Sequence, residues 1–294
     1  MDRMRSWMFV PGNSHKMIDK AYGSAADAIM LDLEDGVVPE MKPAARPIVA
    51  AALQRPAAPR SPARFVRVNG TQTPDQPLDL DAVVVPGLQG LTVPKVETAD
   101  EVRLVADRLA RLEKERGLKD GSVRLMLAIE TAKGLFAAPA LAAASPRVIG
   151  LMFGAEDFST DVGLPTVRTG IAREFLYARS QIVYAAASAG VIPVDAVWPD
   201  LKDLDGVRRD SEMARALGFL GKSMVHPSHI DPINETFTPS HAEVDFARGL
   251  IAEFEKAVRG GTGSISYAGK LVDRPIYARA VATVRLSDRI AQGA

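Results

Sequence analysis

Short apolar runs alternate with longer amphipathic stretches along most of the chain. The runs are rich in β-branched residues, which is typical of strands buried on both faces of a parallel sheet. The clearest run is VIGLMFG, which is too short to cross a membrane and ends at Gly154. The eight runs cover residues 6–10, 28–34, 64–69, 91–96, 124–130, 148–154, 191–198 and 219–226.

The stretches between these runs have the residue pattern of helices, and Thr98 and Asp203 are suitable N-cap residues. The predicted helices cover residues 14–24, 39–53, 99–116, 134–144, 169–189 and 204–216, followed by 240–258 and 275–291. A strand followed by a helix, repeated eight times, favours a (β/α)₈ barrel over an open sheet with a second domain. We therefore expect an α/β fold with a TIM barrel at residues 1–258 and a C-terminal lid and helix extension at 259–294.

Composition restricts the partners that the chain can attract. The 36 basic and 36 acidic side chains give zero net charge, so there is no general attraction to nucleic acid or to an anionic membrane. The absence of cysteine excludes disulfides, thiol nucleophiles and thiolate metal sites. The apolar stretch at the N-terminus is broken by Pro11, too early for a signal peptide. We expect a cytoplasmic protein that binds a small molecule.

Carboxylates follow three of the predicted strands, at Glu34 with Asp35, at Glu130, and at Glu156 with Asp157. In a barrel the carboxyl ends of all strands meet at one mouth, so these groups should converge. Oxygen ligands without cysteine favour Mg²⁺, with Mn²⁺ as the alternative. Because Mg²⁺ needs only one or two protein carboxylates, we select Glu130 and Asp157 as metal ligands. The alternative role for Glu130 is to start a helix, where the helix dipole favours a carboxylate.

Basic residues near the predicted strand ends have two interpretations each. Arg67 lies within the run FVRVN, and a charge on a buried strand needs a partner. That partner is either a ligand carboxylate or an internal acidic residue. Arg5 and Lys16 flank the turn at 11–13 and could bind a phosphate at a helix start, although this stretch read alone favours a simple turn and cap. The glycine-rich segment 260–275 is either a linker or a lid.

Taken together, several segments resemble the HpcH/HpaI aldolase and citrate lyase superfamily, and the nearer likeness is to its citrate lyase β-subunit-like branch, which includes malyl-CoA and citramalyl-CoA lyases. The segments are FVPGN (9–13), LDLEDGV (31–37), RVN (67–69), PK (94–95), AIET (128–131), FGAEDF (153–158), GKSMVHP (221–227) and GKLVDRP (269–275). The resemblance covers nearly the whole chain. It implies a Mg²⁺-dependent barrel, a homotrimer or hexamer, and hydroxyacyl thioesters of coenzyme A or acyl carrier protein as substrates.

The resemblance also implies roles for individual residues. The two metal carboxylates of the family fall on Glu130 and Asp157, and the arginine that binds the substrate carboxylate falls on Arg67. The LDLED motif supplies a carboxylate beside the metal, for which we select Glu34.

Two further implied roles concern the ends of the chain. Asp273, in KLVDRP, would act in general acid/base chemistry at the active site of a neighbouring subunit, on a lid at 265–273. Arg5 and Lys16 would lie near the phosphates of coenzyme A.

The resemblance implies a lyase that cleaves a 3-hydroxyacyl-CoA, such as citramalyl-CoA or malyl-CoA, to acetyl-CoA and a 2-keto acid. The alternatives are a malyl-CoA-type thioesterase and the citryl-acyl carrier protein lyase β subunit of a citrate lyase complex. A metal-dependent protein that binds coenzyme A without turnover is the non-enzymatic alternative.

Overall fold

The computed structural model describes residues 4–58, 61–165 and 172–292. The chain forms two compact units, one of residues Met4–Glu235 and the other centred on Thr236–Ala294. Each unit has its own hydrophobic core, and the two are described separately below.

Eight parallel strands of the first unit form a closed barrel in chain order, with β1 hydrogen-bonded to both β2 and β8. This arrangement confirms the predicted (β/α)₈ fold. Each predicted run overlaps one strand, and β7 and β8 each contain only four residues. The strands are β1 (Ser6–Pro11), β2 (Ala28–Asp32), β3 (Ala63–Arg67), β4 (Gly90–Val93), β5 (Arg124–Ile129), β6 (Val148–Phe153), β7 (Ile192–Asp195) and β8 (Gly221–Met224).

The helices follow the predicted alternation with three additions, α3, α6 and α9. Thr98 and Asp203 cap α4 and α8 as predicted, each accepting a backbone N–H from the first turn. Residues 169–171, the predicted start of α7, lie outside the described residues. The helices up to residue 237 are α1 (His15–Tyr22), α2 (Lys42–Leu53), α3 (Asp75–Val83), α4 (Ala99–Glu115), α5 (Ala132–Ala142), α6 (Ala155–Val162), α7 (Leu176–Ala189), α8 (Leu204–Leu217) and α9 (Ile230–Phe237).

The barrel interior is filled by large apolar side chains. Alternate residues of a barrel strand face inward, which brings side chains from six strands into one cluster. Trp7 and Phe65 meet edge to face with ring centroids 4.8 Å apart, and the Trp7 Nε1–H donates to the Met4 carbonyl oxygen. The cluster consists of Trp7, Ala28, Met30, Phe65, Met126, Met152 and Val194. Because this cluster fills the barrel interior, the polar side chains lie at the carboxyl ends of the strands.

A fully buried ionic cluster joins β7 and β8 to α7 and α8. Asp195 Oδ1 accepts from Arg179 Nε at 2.9 Å, and Asp195 Oδ2 accepts from Lys222 Nζ at 2.7 Å. Asp210 accepts from Arg179 at 2.8 Å and also pairs with Lys222. Burial alone would raise the pKa of Asp195, but the charges of Arg179 and Lys222 outweigh it and lower that pKa. Two cations and two anions thus form a neutral group between the last two barrel strands and the helices α7 and α8.

The second unit consists of two helices and a β-hairpin. The elements are α10 (His241–Arg259), β9 (Ile265–Tyr267), β10 (Lys270–Val272) and α11 (Arg274–Gln292). The hairpin turns at Ala268 and Gly269, both with positive φ, as two-residue hairpin turns require. The segment predicted as a linker or lid therefore contains paired strands.

The core of the second unit places the boundary between the units before α10, whereas the sequence analysis placed it after residue 258. Phe254 of α10 stacks on Tyr277 of α11 with ring centroids 4.9 Å apart. The core residues are Ala247, Leu250, Phe254, Val272 and Ala280. Because α10 buries its apolar face against α11 and the hairpin, it belongs to the C-terminal unit.

Within residues 4–58, 61–165 and 172–292, every helix is too short or too polar to span a membrane.

We predict that Lys222→Met lowers the free energy of unfolding by about 3–5 kcal/mol, because it leaves one excess carboxylate buried beside Arg179. Urea denaturation followed by circular dichroism measures this difference. Arg103→Met, which removes an exposed pair with Asp100, is the matched control and should cost less than about 1 kcal/mol. Equal stability losses in the two variants would show that the buried cluster does not stabilise the barrel.

Candidate active site

A cavity of about 430 Å³ opens at the carboxyl ends of the barrel strands. Its lining combines apolar side chains with charged residues that end or follow β2, β3, β5 and β6. Side chains at the cavity include Phe9, Asp32, Asp35, Arg67, Glu130, Met152, Phe153, Asp157, Val197 and Val225. Parallel barrels place their chemistry at this end, so this cavity is the candidate active site.

Glu130 follows β5 and is only 4% exposed. Its Oε2 accepts the backbone N–H of Lys95 at 2.9 Å, while Thr131 caps α5. Burial and repulsion from Glu34 raise the pKa of Glu130 to about 8, with Asp157 adding to the effect. Glu130 therefore faces the mouth and does not serve as the cap of α5.

Gly154 makes room for Glu130. A Cβ atom at this position would lie 2.3 Å from Glu130 Cγ and 2.5 Å from its Oε1. Glycine is therefore required at the junction of β6 and α6 if the Glu130 carboxylate is to keep its position.

Asp157 lies in the first turn of α6, and 39% of its side chain is exposed. The sequence predicts that Glu156 and Asp157 follow the strand, and the structure shows that a helix begins there. A helix N-terminus favours carboxylates, so the helix supports the position of this side chain. Because β5 and β6 are neighbours in the barrel, Glu130 and Asp157 face the same cavity.

Arg67, at the end of β3, has internal acidic partners. Its Nε and Nη2 donate to the two oxygens of Asp32 at 2.7 and 2.6 Å, and its Nη1 lies 3.0 Å from Glu34 Oε2. The guanidinium also lies over the ring of Phe9, 4.7 Å from its centroid. Burial alone would lower the pKa of Arg67, but hydrogen bonds and the charge of Asp32 raise it. The internal ion pair considered from the sequence is thus present, although three contacts do not exhaust the five N–H donors of arginine.

Asp32 holds the whole segment that carries Glu34. Besides binding Arg67, its two oxygens accept the backbone N–H groups of Glu34 at 3.0 Å and Gly36 at 2.8 Å. Burial raises the pKa of Glu34, opposed by the charge of Arg67. Glu34 Oε2 is buried and accepts no hydrogen bond from the described part of the chain. In the sequence Asp32 is visible only as part of LDLED, and nothing there indicates that it binds both Arg67 and the backbone after β2.

Lys95 was given no role by the sequence analysis, yet it reaches into the acidic group. Its Nζ lies 2.9 Å from Glu34 Oε1, 3.1 Å from Asp35 Oδ2 and 3.4 Å from Asp157 Oδ1. Its backbone has a φ of 52°, a left-handed conformation that costs a non-glycine residue about 1–3 kcal/mol. The only signal in the sequence was a lysine directly after Pro94 at a strand end.

Asn69 connects the ends of β2 and β3. Its backbone N–H and Nδ2 donate to Asp79 Oδ2 at 2.8 and 2.6 Å, and Nδ2 also donates to the Leu33 carbonyl at 2.9 Å. Asp79 is buried on α3, a helix that was not among those predicted from the sequence. These hydrogen bonds fix the segment after Arg67 relative to the segment before Glu34.

Arg5 does not lie at the mouth, which corrects its assignment as a substrate-binding residue. It precedes β1, and its Nε and Nη2 donate to Asp27 just before β2, both at 2.8 Å. At about 3.3 Å per residue, the six residues of β1 separate it from the mouth by roughly 20 Å. Arg5 therefore supports the amino end of the barrel.

Lys16 and Asp273 have different settings. Lys16 lies exposed in the first turn of α1, which follows β1 on the mouth side. Asp273 belongs to the second unit, where its Oδ1 accepts the Ile276 N–H at 3.3 Å at the start of α11. The expected roles of both residues stay predictions.

The charges of the cavity fit a divalent cation. In the described part of the chain, Glu34 pairs with Arg67 and Lys95, and Asp157 pairs with Lys95. Glu130 accepts only the backbone N–H of Lys95 among the hydrogen bonds described above. The described residues contain no group of three or more His, Cys, Asp or Glu side chains arranged to hold a metal. Mg²⁺ does not need one, because it usually keeps several waters and uses one or two carboxylates. The residues present thus fit Mg²⁺ held by Glu130 and Asp157.

The family model for HpcH/HpaI aldolase/citrate lyase matches residues 5–227. The chain is 39% identical over 284 residues to the citrate lyase subunit beta of Leuconostoc mesenteroides subsp. cremoris, covering 97% of this chain and 93% of that protein. It is 33% identical over 302 residues to the L-malyl-CoA/beta-methylmalyl-CoA lyase of Rhodobacter capsulatus, covering 97% and 94%.

A solved structure of CitE from Mycobacterium tuberculosis, in complex with magnesium, acetoacetate and coenzyme A, superposes with a TM-score of 0.77. The two chains are 31% identical, and the match covers 97% of this chain and 98% of that one. The family match spans the barrel strands and every residue of the acidic mouth, and the agreement in fold extends it to nearly the whole chain. The chain is therefore an enzyme that belongs to the HpcH/HpaI aldolase/citrate lyase family, a family of lyases.

Proposed function

We propose that this enzyme is a Mg²⁺-dependent lyase that cleaves a 3-hydroxyacyl-CoA, such as citramalyl-CoA or malyl-CoA, to acetyl-CoA and a 2-keto acid. The observation that carries this proposal is the convergence of Glu130, Asp157 and Arg67 on one cavity. Two carboxylates for a metal and a cation for a substrate carboxylate are the groups that this cleavage requires. The similarity to a malyl-CoA lyase and to a protein solved with magnesium and coenzyme A supports the same reaction.

Glu130 and Asp157 are the proposed metal ligands. When bound there, Mg²⁺, or Mn²⁺ as the alternative ion, would supply a Lewis acid for the oxygens of the acid portion. Arg67 would bind the carboxylate of that portion with its remaining N–H groups, in bidentate geometry. Asp32 fixes the plane of the guanidinium through two hydrogen bonds, and Glu34 holds it from the side. The guanidinium of Arg67 would therefore already be oriented when the substrate binds.

The reaction also moves protons. The substrate hydroxyl gives its proton to a water molecule, the bond between carbons 2 and 3 breaks, the hydroxyl oxygen becomes the keto oxygen, and the electron pair of the broken bond passes into the thioester enolate. Carbon 2 must then take up a proton, and we assign this step to Asp273. In this proposal Asp273 comes from a neighbouring subunit of a homotrimer or hexamer, and Lys16 at the start of α1 binds the phosphates of coenzyme A.

Two alternatives use the same cavity. A thioesterase would bind malyl-CoA in the same way and direct water to the thioester carbon. A citrate lyase β subunit would take citryl bound to an acyl carrier protein, and the 39% identity to such a subunit supports this second alternative.

The first experiment incubates the enzyme with citramalyl-CoA, malyl-CoA and citryl-CoA, with Mg²⁺ and with a chelator, and identifies the products by mass. We expect acetyl-CoA and a 2-keto acid from one of the first two substrates, and we expect the chelator to abolish both products. Free coenzyme A with an intact hydroxy acid would replace the lyase with the thioesterase. No turnover of any of the three would contradict the proposal and direct the test to a citryl-acyl carrier protein.

The metal assignment predicts that Glu130→Gln and Asp157→Asn each lower kcat/KM on the order of a thousandfold, since each removes a ligand charge from the Mg²⁺ site. Calorimetric titration with MgCl₂ should show the loss of binding directly. Asp161→Asn is the control, because Asp161 lies on the same helix and accepts the Ala132 N–H at 2.7 Å. Mg²⁺ affinity equal to the wild type in both ligand variants would refute the assignment.

The assignment of Asp273 predicts that Asp273→Asn keeps thioester binding but loses about 10²- to 10⁴-fold in kcat. Asp288→Asn, at an exposed position of α11, is the control and should be fully active. Mixing Asp273→Asn subunits with Glu130→Gln subunits should restore activity after subunit exchange. Each restored site would combine an intact Glu130 with Asp273 of the partner. A mixture that stays as inactive as its components would rule out action between subunits.

A further inference from the structure

Lys95 contacts both carboxylates to which the proposed function assigns the metal. Its backbone N–H donates to Glu130 Oε2 at 2.9 Å, and its Nζ lies 3.4 Å from Asp157 Oδ1. These two contacts diverge from a single residue with φ of 52°. The left-handed backbone of Lys95 thus occurs where its N–H contacts one carboxylate and its side chain contacts the other.

The same ammonium group also reaches across the mouth. It lies 2.9 Å from Glu34 Oε1 and 3.1 Å from Asp35 Oδ2, which both follow β2, whereas Lys95 itself follows β4. Carboxylates from β2 and β6 thus share one positive charge. Without it, Asp157 and Glu34 would face each other and Glu130 with less compensation.

We propose that Lys95 is an internal counterion that holds the acidic mouth together in the metal-free enzyme and gives up Asp157 when a divalent cation binds. Lys95 is then a positioning residue that sets the metal affinity of the site. This inference rests on the proposed function, because it takes Glu130 and Asp157 as the metal ligands.

Two physical features suit Lys95 to this role. An ammonium beside Asp157 occupies that carboxylate and repels a divalent cation, so it competes with the metal for the same oxygens. The ammonium ends a flexible four-carbon chain that is 35% exposed, so it can swing into solvent without disturbing its backbone. Arg67 cannot do the same, because Asp32 holds it in two hydrogen bonds and its side chain is only 12% exposed.

The backbone contact must remain when the metal binds, since it positions Glu130. A substitution that removes the charge of Lys95 while keeping its N–H therefore separates the two functions. Methionine has a similar length and shape and carries no charge, so Lys95→Met is the variant of choice.

The test measures the dissociation constant for Mg²⁺ by isothermal titration calorimetry, with MgCl₂ alone and no substrate. We expect Lys95→Met to bind Mg²⁺ more tightly than the wild type, on the order of tenfold, because a competing positive charge has been removed. We also expect its metal-free form to melt about 2–6 °C lower, with saturating Mg²⁺ removing that difference.

Lys133→Met is the matched control. Lys133 lies in the first turn of α5, is exposed, and pairs with Glu97 at 3.0 Å. Its substitution removes one positive charge near the mouth, so unchanged Mg²⁺ affinity would show that the effect belongs to the position of Lys95 and not to net charge.

The outcomes separate this inference from the proposed function. If the wild type binds no Mg²⁺, the metal assignment itself fails, and the inference fails with it. If the wild type binds Mg²⁺ and loses it in Glu130→Gln, the assignment holds. Equal or weaker binding by Lys95→Met would then overturn the counterion role alone.

Discussion

Electrostatic repulsion among carboxylates at one end of the barrel is the constraint on which the site depends. A buried carboxylate needs a counterion or a proton, and burial together with repulsion from Glu34 raises the pKa of Glu130, opposed by the charge of Arg67. Arg67 and Lys95 neutralise part of the charge, and each is held by several groups at once. The site thus combines a fixed cation, Arg67, and a flexible one, Lys95, with room for one more positive charge, as the proposed metal-assisted reaction of an anionic substrate requires.

The barrel creates this concentration of charge through its topology. Parallel strands all end on the same side, so residues that are far apart in the sequence, such as Asp32 and Glu130, meet at a single opening. The apolar cluster that contains Trp7 and Phe65 fills the barrel interior next to the mouth and excludes water from it. The lower dielectric strengthens the electrostatic interactions at the mouth. The parallel strands, buried on both faces, therefore produce both the barrel and the grouping of charged residues at its mouth.

That burial also explains how much could be predicted from the sequence. Continuous apolar runs fixed all eight strands, and the polar residues after them located the mouth. The conformation of Lys95 was out of reach, because a left-handed lysine leaves no trace in hydrophobic periodicity. Helix α6 was missed because it is short and starts directly after β6. Arg5 was misplaced for a different reason: proximity to the turn at 11–13 in sequence hid its position at the opposite end of β1.

One part of the barrel is stabilised separately from the mouth, by the neutral cluster of Arg179, Asp195, Lys222 and Asp210. It fastens β7 and β8 through charges that are already balanced, on the outer side of the strands and independent of the mouth. Substitutions at the mouth therefore leave these four ion pairs in place. The stability that the cluster gives to the barrel does not depend on the residues that line the cavity.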